Sequence, residues 1–315
     1  MEDFVTLFDH KFLPQGLALH ASLQKLASPC HLWVICMDQT VFDQLGLLGL
    51  PGLTPIHLRE LENEDLLRVK RQRTRAEYCW TLTPFACRHV LARASQSARV
   101  TYVDADVVFF GSPAVLLGEL EQSGKTVLIT EHAYAPEYAH FERIAGRFCV
   151  QFLTFTRGSR SIELLNDWGA RCLEACSSVP GAASGLGDQA YLDDWPVQFN
   201  DRIHILRNTA QTLAPWNVDY FQHQVGSRYF PVLYHFHGFR ILGRTYARYS
   251  STYPIRLGGH IYAEYLKLLR GQCRLLRAHG LEFPTIPISS ERFWLLRTIK
   301  RILFQHMVIR RHSLS

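Results

Sequence analysis

Short apolar runs rich in β-branched and aromatic side chains recur at residues 4–8, 32–37, 54–58, 100–103, 126–129, 150–156 and 232–236. Most are bounded by polar or turn residues, as strands are. Between them lie stretches of helical spacing. Leu19, Leu23 and Leu26, four and three residues apart, give the first stretch one apolar face. This alternation predicts an α/β fold that opens with a βαβ unit, the frame of a nucleotide-binding half. Pro51-Gly52 and Gly111-Ser112-Pro113 punctuate the connections. A longer loop over 179–187 ends just before Asp188, where it reads either as a substrate gate or as a plain surface connection. No internal repeat is visible, and a composition shift near residue 240 divides the chain into 1–240 and 241–315.

Composition narrows the class. Of 315 residues, 47% are hydrophobic and 20% charged, which excludes disorder and low-complexity scaffolds. Apolar runs stay below the roughly 18 residues a membrane span needs, and the start Met1-Glu2-Asp3 is acidic, so neither a spanning helix nor a secretory signal is expected. Eight cysteines form no CxxC pair and a single CxxxC, Cys172 and Cys176, so reduced buried thiols in a cytoplasmic protein are expected rather than zinc or disulfides. The net charge of +6 is uneven: residues 1–222 carry 19 Lys and Arg against 25 Asp and Glu, whereas residues 223–315 carry 15 against 3. A basic block of this kind seeks a polyanion.

Two carboxylates interrupt an otherwise hydrophobic segment in Thr101-Tyr102-Val103-Asp104-Ala105-Asp106-Val107-Val108. In extended backbone, residues two apart project to one face, so Asp104 and Asp106 are expected to converge past a strand end. Anions that close repel unless a cation lies between them, and a hard divalent ion, Mn²⁺ or Mg²⁺, is the natural occupant. Capping of the next helix is the structural alternative. Further along, Tyr234-His235-Phe236-His237-Gly238-Phe239-Arg240 joins imidazoles, a glycine and a guanidinium fork suited to phosphate oxygens. Gly187-Asp188-Gln189 sets a carboxylate beside a carboxamide, a pairing suited to sugar hydroxyls, with helix capping by Asp188 as its competitor. No GxxxxGK[ST], GxGxxG after the first strand, HExxH or GxSxG occurs, which counts against Walker ATPases, Rossmann dehydrogenases, zincins and α/β-hydrolases.

In order along the chain, Phe4-Val5-Thr6-Leu7-Phe8-Asp9, Thr101-Tyr102-Val103-Asp104-Ala105-Asp106, Gly187-Asp188-Gln189 and His235-Phe236-His237-Gly238 resemble the motifs of GT-A fold glycosyltransferases. They most resemble family 8, which includes lipopolysaccharide galactosyltransferases and glycogenin, in an uncharacterised bacterial branch. The resemblance covers roughly residues 3–240. It implies a GT-A (Rossmann-like) nucleotide-diphospho-sugar transferase fold with a C-terminal helical extension. It further implies a metal held by Asp104, Asp106 and His235, with Asp104 also near the ribose. Phe8 and Asp9 would lie near the base, Asp188 on sugar hydroxyls, and Gln189 near the anomeric carbon. Two departures stand out. Cys149-Val150-Gln151 replaces the family's Asn-x-Gly, and Ile241 falls where a lysine is expected, so that Arg240 or Arg244 would take over the diphosphate.

The implied function is a hexosyltransferase that moves a sugar from a nucleoside diphosphate, UDP, to a glycan or lipid-linked hydroxyl, with retention of configuration. A sugar-1-phosphate nucleotidyltransferase and an inactive sugar-nucleotide-binding scaffold are the rivals. In the tail, Leu295, Leu296, Ile299, Ile302 and Leu303 face away from Arg297, Lys300 and Arg301. Tyr265, Leu268, Leu269 and Leu276 similarly oppose Lys267, Arg270, Arg274 and Arg277. Either helix suits the inner face of an anionic membrane or ordinary packing on the catalytic domain, and no nucleic-acid motif accompanies them.

Overall fold

The computed structural model describes residues 1–94, 96–179, 187–226, 228–242, 246–248, 250, 252–282 and 309–311. The first half runs β1 (Glu2–Phe8), α1 (Leu13–Leu26), β2 (Cys30–Cys36), α2 (Gln39–Leu48), β3 (Leu53–His57), α3 (Glu64–Lys70), α4 (Arg75–Arg93), β4 (Arg99–Val103) and β5 (Val107–Phe109). It continues with α5 (Ala114–Ser123), β6 (Val127–Glu131), α6 (Glu142–Ala145), β7 (Phe148–Thr156) and α7 (Ser159–Glu174). The remainder comprises α8 (Trp195–Gln198), β8 (Ile203–Ile205), β9 (Thr212–Leu213), α9 (Val218–Val225), β10 (Leu233–His235), β11 (Arg240–Leu242), β12 (Tyr246–Arg248), α10 (Gly259–Ala278) and β13 (Ile309–Arg311).

Seven strands form the central sheet in the order β3-β2-β1-β4-β7-β6-β8. β1 pairs in parallel with β2 and β4, β2 with β3, and β6 with β8, while β7 runs antiparallel between β4 and β6. β1, β2 and β4 read as largely apolar runs because helices cover both sheet faces, whereas the edge strand β3 is mostly half-buried. Leu19 and Leu23 of α1 are buried, as the helical spacing predicts, while Leu26 at the helix end is half-buried against the same core. Gly16 is required there: a Cβ on it would meet the Phe8 ring at 2.4 Å. Strand order turns back on either side of β1, and the carboxyl ends of β1 and β4 meet at that switch, where α/β sheets bind ligands.

A second, small sheet, β5-β10-β9, builds the site. β10 pairs antiparallel with β5, setting His235 opposite Val107 and Leu233 opposite Phe109. The sequence pattern finds β10, three residues within the apolar run 232–236, but misses β5, β8, β9 and the β11-β12-β13 sheet, which are as short and do not stand out as separate apolar runs. The helical spacing over 262–276 belongs to α10, whose Tyr262, Tyr265, Leu269, Cys273 and Leu276 are buried against the domain, with Lys267, Arg274 and Arg277 outward. Its apolar face is therefore occupied by protein. The tail pattern at 291–307, the gate residues 180–186 and Arg244 lie outside the described residues. No described helix is long and apolar enough to cross a membrane.

Candidate metal and nucleotide-sugar site

The expected convergence of Asp104 and Asp106 is present, but a turn produces it rather than strand alternation. β4 ends at Val103, and the Val107 N–H then donates to the Asp104 carbonyl at 3.0 Å, folding both carboxylates to one side. The Phe236 N–H donates to the Asp106 carbonyl at 2.8 Å, which ties β10 to that turn. His235 Nε2 thereby lies 3.1 Å from Asp106 Oδ1 and 3.7 Å from Asp104 Oδ2. One ligand atom from each of the three residues lies within 4.8 Å of the others, a spacing that fits one cation. Neither carboxylate caps a helix, since α5 begins beyond Pro113.

Two hydrogen-bonding groups and the neighbouring charges tune the cluster. The Tyr102 hydroxyl donates to Asp104 Oδ1 at 3.0 Å. Gln151, fully buried on β7, brings its Oε1 to 3.1 Å from His235 Nδ1. With Nδ1 donating its proton to that oxygen, the Nε2 lone pair is aimed at the carboxylates, the orientation a metal-binding histidine needs. Two oxygens and an imidazole nitrogen suit Mn²⁺ or Mg²⁺ supplemented by phosphate oxygens. Burial pushes the Asp104 carboxyl up, against the pull of His235. Burial acts on Asp106 likewise, yet His235, His237 and Arg240 hold it down at about 2. Burial would lower His235, but Asp106 and Asp104 overcome it and raise the imidazole well above its ordinary value.

Arg240 lies close enough to depress Asp106, while its Nη1 donates to the Phe239 carbonyl at 2.6 Å and its guanidinium stands 5.1 Å from the Phe12 ring centre. Gly238, at φ 76°, supplies the left-handed turn between the imidazoles and that arginine. Asp9 closes the other end of the cleft. It accepts the Lys11 N–H at 2.9 Å and pairs with Arg75 Nε at 2.9 Å. Phe8 is buried beneath Gly16, its ring in the core rather than in the cleft.

Asp188 does not cap the following helical turn. It is 3% exposed, takes a hydrogen bond from Thr83, and its backbone carbonyl accepts the Trp168 indole N–H at 3.0 Å. Burial, with Cys176 and Asp104 adding, raises its carboxyl well above the usual range. Gln189 turns away from the cluster: its Nε2 donates to the Ala145 carbonyl at 2.7 Å. Tyr102 and Gln151 lie within the sequence motifs without a role assigned to either, and His132 and Trp216 are not singled out from the sequence at all. Trp216 donates its indole N–H to the His132 carbonyl at 2.7 Å and meets His235 edge-on at 5.7 Å. Burial would raise the Cys149 thiol, but His132 and His235 bring it down to about 7. The departure at Cys149-Val150-Gln151 thus rebuilds the wall behind His235. The advance signals for Gln151 are its place in that departure and a carboxamide inside an apolar strand.

No protein-family model matches the chain. The chain is 27% identical over 246 residues to the uncharacterized protein YfnD of Bacillus subtilis (strain 168), covering 76% of this chain and 78% of that one. It is 29% identical over 255 residues to YfnF of the same organism, covering 76% and 82%. Among solved structures it is similar to the apo-form glycosyltransferase GlyE of Streptococcus pneumoniae TIGR4. That match has a TM-score of 0.51 at 13% identity and covers 98% of this chain and 64% of GlyE. A second GlyE structure gives 0.50 at 16%, covering 93% and 67%. The fold is the GT-A glycosyltransferase fold, a mixed α/β architecture around a mostly parallel sheet.

Proposed function

We propose that this protein is a metal-dependent glycosyltransferase of the family 8 type. It would move a sugar from a nucleoside diphosphate sugar, a UDP-sugar, to a glycan or lipid-linked hydroxyl with retention of configuration. The observation that carries this reading is the meeting of Asp104, Asp106 and His235 at the sheet's ligand-binding edge. Bound there, Mn²⁺ or Mg²⁺ supplies positive charge opposite the departing diphosphate. Asp104 and Asp106 give oxygen ligands, and His235 gives Nε2 with Gln151 holding its other nitrogen. Arg240 donates to diphosphate oxygens. Asp9 faces the base, its charge balanced by Arg75. Asp188, whose carboxyl burial raises well above the usual range, faces the donor-sugar hydroxyls, with Gln189 swinging in once sugar is bound.

Turnover of a panel of UDP-, GDP- and dTDP-sugars with Mn²⁺, Mg²⁺ or EDTA tests the reading. Release of nucleoside diphosphate is expected only with a divalent ion. Turnover that ignores EDTA, or no nucleotide sugar bound in Mn²⁺ by calorimetry, overturns it. We further propose that the protein works at the cytoplasmic face of an anionic membrane through its basic tail, since the apolar face of α10 is already covered. Flotation with anionic vesicles, with and without residues 285–315, tests this: equal recovery rejects the tail as an anchor.

A further inference from the structure

Trp216 belongs to two neighbourhoods. Its indole stands 5.7 Å from both His235 and His237, and it also lines a cavity of about 470 Å³ formed by the segments after β6, around α9 and before α10. That volume lies within the roughly 300–1,000 Å³ of small-molecule sites. Tyr138 and Tyr220 add two more rings to the wall, set nearly perpendicular to Tyr253 and Phe221 respectively. Glu137, His223 and Arg256 bring polar ends to the same space. The loop carrying Arg256 is fixed from below: Asp219 accepts the N–H groups of Arg256 at 2.9 Å and Leu257 at 2.8 Å. Among the described residues, the side chains of Glu137, Tyr220, His223 and Arg256 make no hydrogen bond or ion pair, so their donors and acceptors are uncommitted.

The chemistry of this lining selects a class of ligand. Aromatic rings offer apolar faces, while a carboxylate, an imidazole, a guanidinium and phenol hydroxyls offer donors and acceptors at spread positions. A ligand that matches must present apolar C–H faces ringed by hydroxyls. One guanidinium against the carboxylates of Glu137 and Asp219 gives no excess of positive charge, which disfavours phosphate or nucleotide. The charged ends disfavour an acyl chain. We propose that this cavity is a saccharide-binding subsite that holds the acceptor, a neutral glycan, beside the metal cluster. Its role as acceptor site rests on the transferase reading; its ability to bind saccharide does not.

The test is an array of defined neutral mono- to tetrasaccharides, probed in EDTA and again with Mn²⁺ and UDP. Wild type is compared with Tyr220→Ala and Glu137→Gln, both at solvent-accessible positions, with melting temperature and circular dichroism as folding controls. Retention of at least one glycan is expected, weakened tenfold or more in Tyr220→Ala and measurably in Glu137→Gln, at unchanged melting temperature. Failure of wild type to retain any glycan in either condition overturns the proposal, as does equal retention by both folded variants. Binding in EDTA is independent of the metal and of nucleotide-sugar turnover, so the nucleotide-sugar panel can fail while this subsite stands. Conversely, turnover with an acceptor KM unchanged in both variants removes the subsite and leaves the transferase.

Discussion

Two pairs of aspartates lie at the ligand-binding edge, and they are neutralised in different ways. Asp9 and Asp38, beyond β1 and β2, share Arg75, at 2.9 Å from its Nε and 2.7 Å from its Nη2, and Asp38 also holds His10 Nδ1 at 2.7 Å. Among the described residues, the ion-pairing partner that Asp104 and Asp106 share is His235. A guanidinium stays charged at any ordinary pH and cannot be displaced without leaving its anions bare. An imidazolium gives up its proton, and its nitrogen then becomes a ligand. The first pair is a finished ion-pair network that orders the cleft wall. The second is a place where a cation can exchange for a proton.

The largest effect expected from this difference is at Asp106. Asp106→Asn removes one oxygen charge from a three-ligand set and the partner that keeps His235 raised. Mn²⁺ binding should fall by at least about a hundredfold, and nucleotide-sugar turnover with it. The melting temperature of the metal-free protein should fall modestly, since the attraction that holds Asp106 down and His235 up is lost and His235 keeps only the more distant Asp104. Calorimetry with Mn²⁺ and a thermal scan in EDTA check both parts. Retained Mn²⁺ affinity in Asp106→Asn would place the ion elsewhere.

Next in size is Gln151. Gln151→Leu frees the His235 ring and exchanges its Nδ1 acceptor for a methyl group. A loss of about 10- to 100-fold in Mn²⁺ affinity is expected, the usual range for removing the partner behind a metal-binding histidine. Gln151→Glu, which keeps an acceptor, should recover most of it. Equal affinities in Leu and Glu variants would reduce Gln151 to a packing residue. At the finished pair, by contrast, Arg75→Met should leave Mn²⁺ binding unchanged and cost stability. Arg75 is about half exposed, so solvent screening limits the loss to about 1 kcal/mol, read as a small drop in denaturation midpoint. A change in metal affinity there would mean the two clusters are coupled.

What the sequence makes legible follows the same division. The central strands are readable because burial on both faces turns them into unbroken apolar runs, and the paired aspartates are readable because charge in such a run is costly. His235 is linked to the aspartates in advance only through its resemblance to a known motif, since nothing local to residues 233–237 says that β10 will lie against β5. Phe8 shows the limit of that transfer: its ring is committed to the core by Gly16. The roles of Gln151 and Trp216 could not be read because their partners are each 84 residues away, and only the folded register brings each polar atom to its target, whereas Tyr102 lies two residues from Asp104 and needs only the turn that follows β4. The turn at 104–107 escaped because two aspartates spaced by one residue satisfy a strand-face argument equally well.

The contrast extends to imidazoles, where the smallest effect is expected. His235 is raised by carboxylates, whereas His20, buried on α1, has only the Pro51 carbonyl at 2.9 Å from Nε2. Burial lowers His20 below its ordinary 6.5, the carbonyl opposing and His31 adding. The folded state therefore binds the proton more weakly than the unfolded chain does. By linkage, His20's contribution is fully present above about pH 6.5 and is lost as pH falls toward the depressed folded value. In EDTA, where no bound ion complicates the titration, the melting temperature of wild type should fall between pH 7 and pH 5. His20→Gln, which has no proton to gain, should show a shallower fall over the same interval while sitting lower at pH 7 from the altered fit beside Pro51. Parallel curves for the two proteins would mean that the acid sensitivity arises elsewhere, and that burial without a countercharge is not what separates these two histidines.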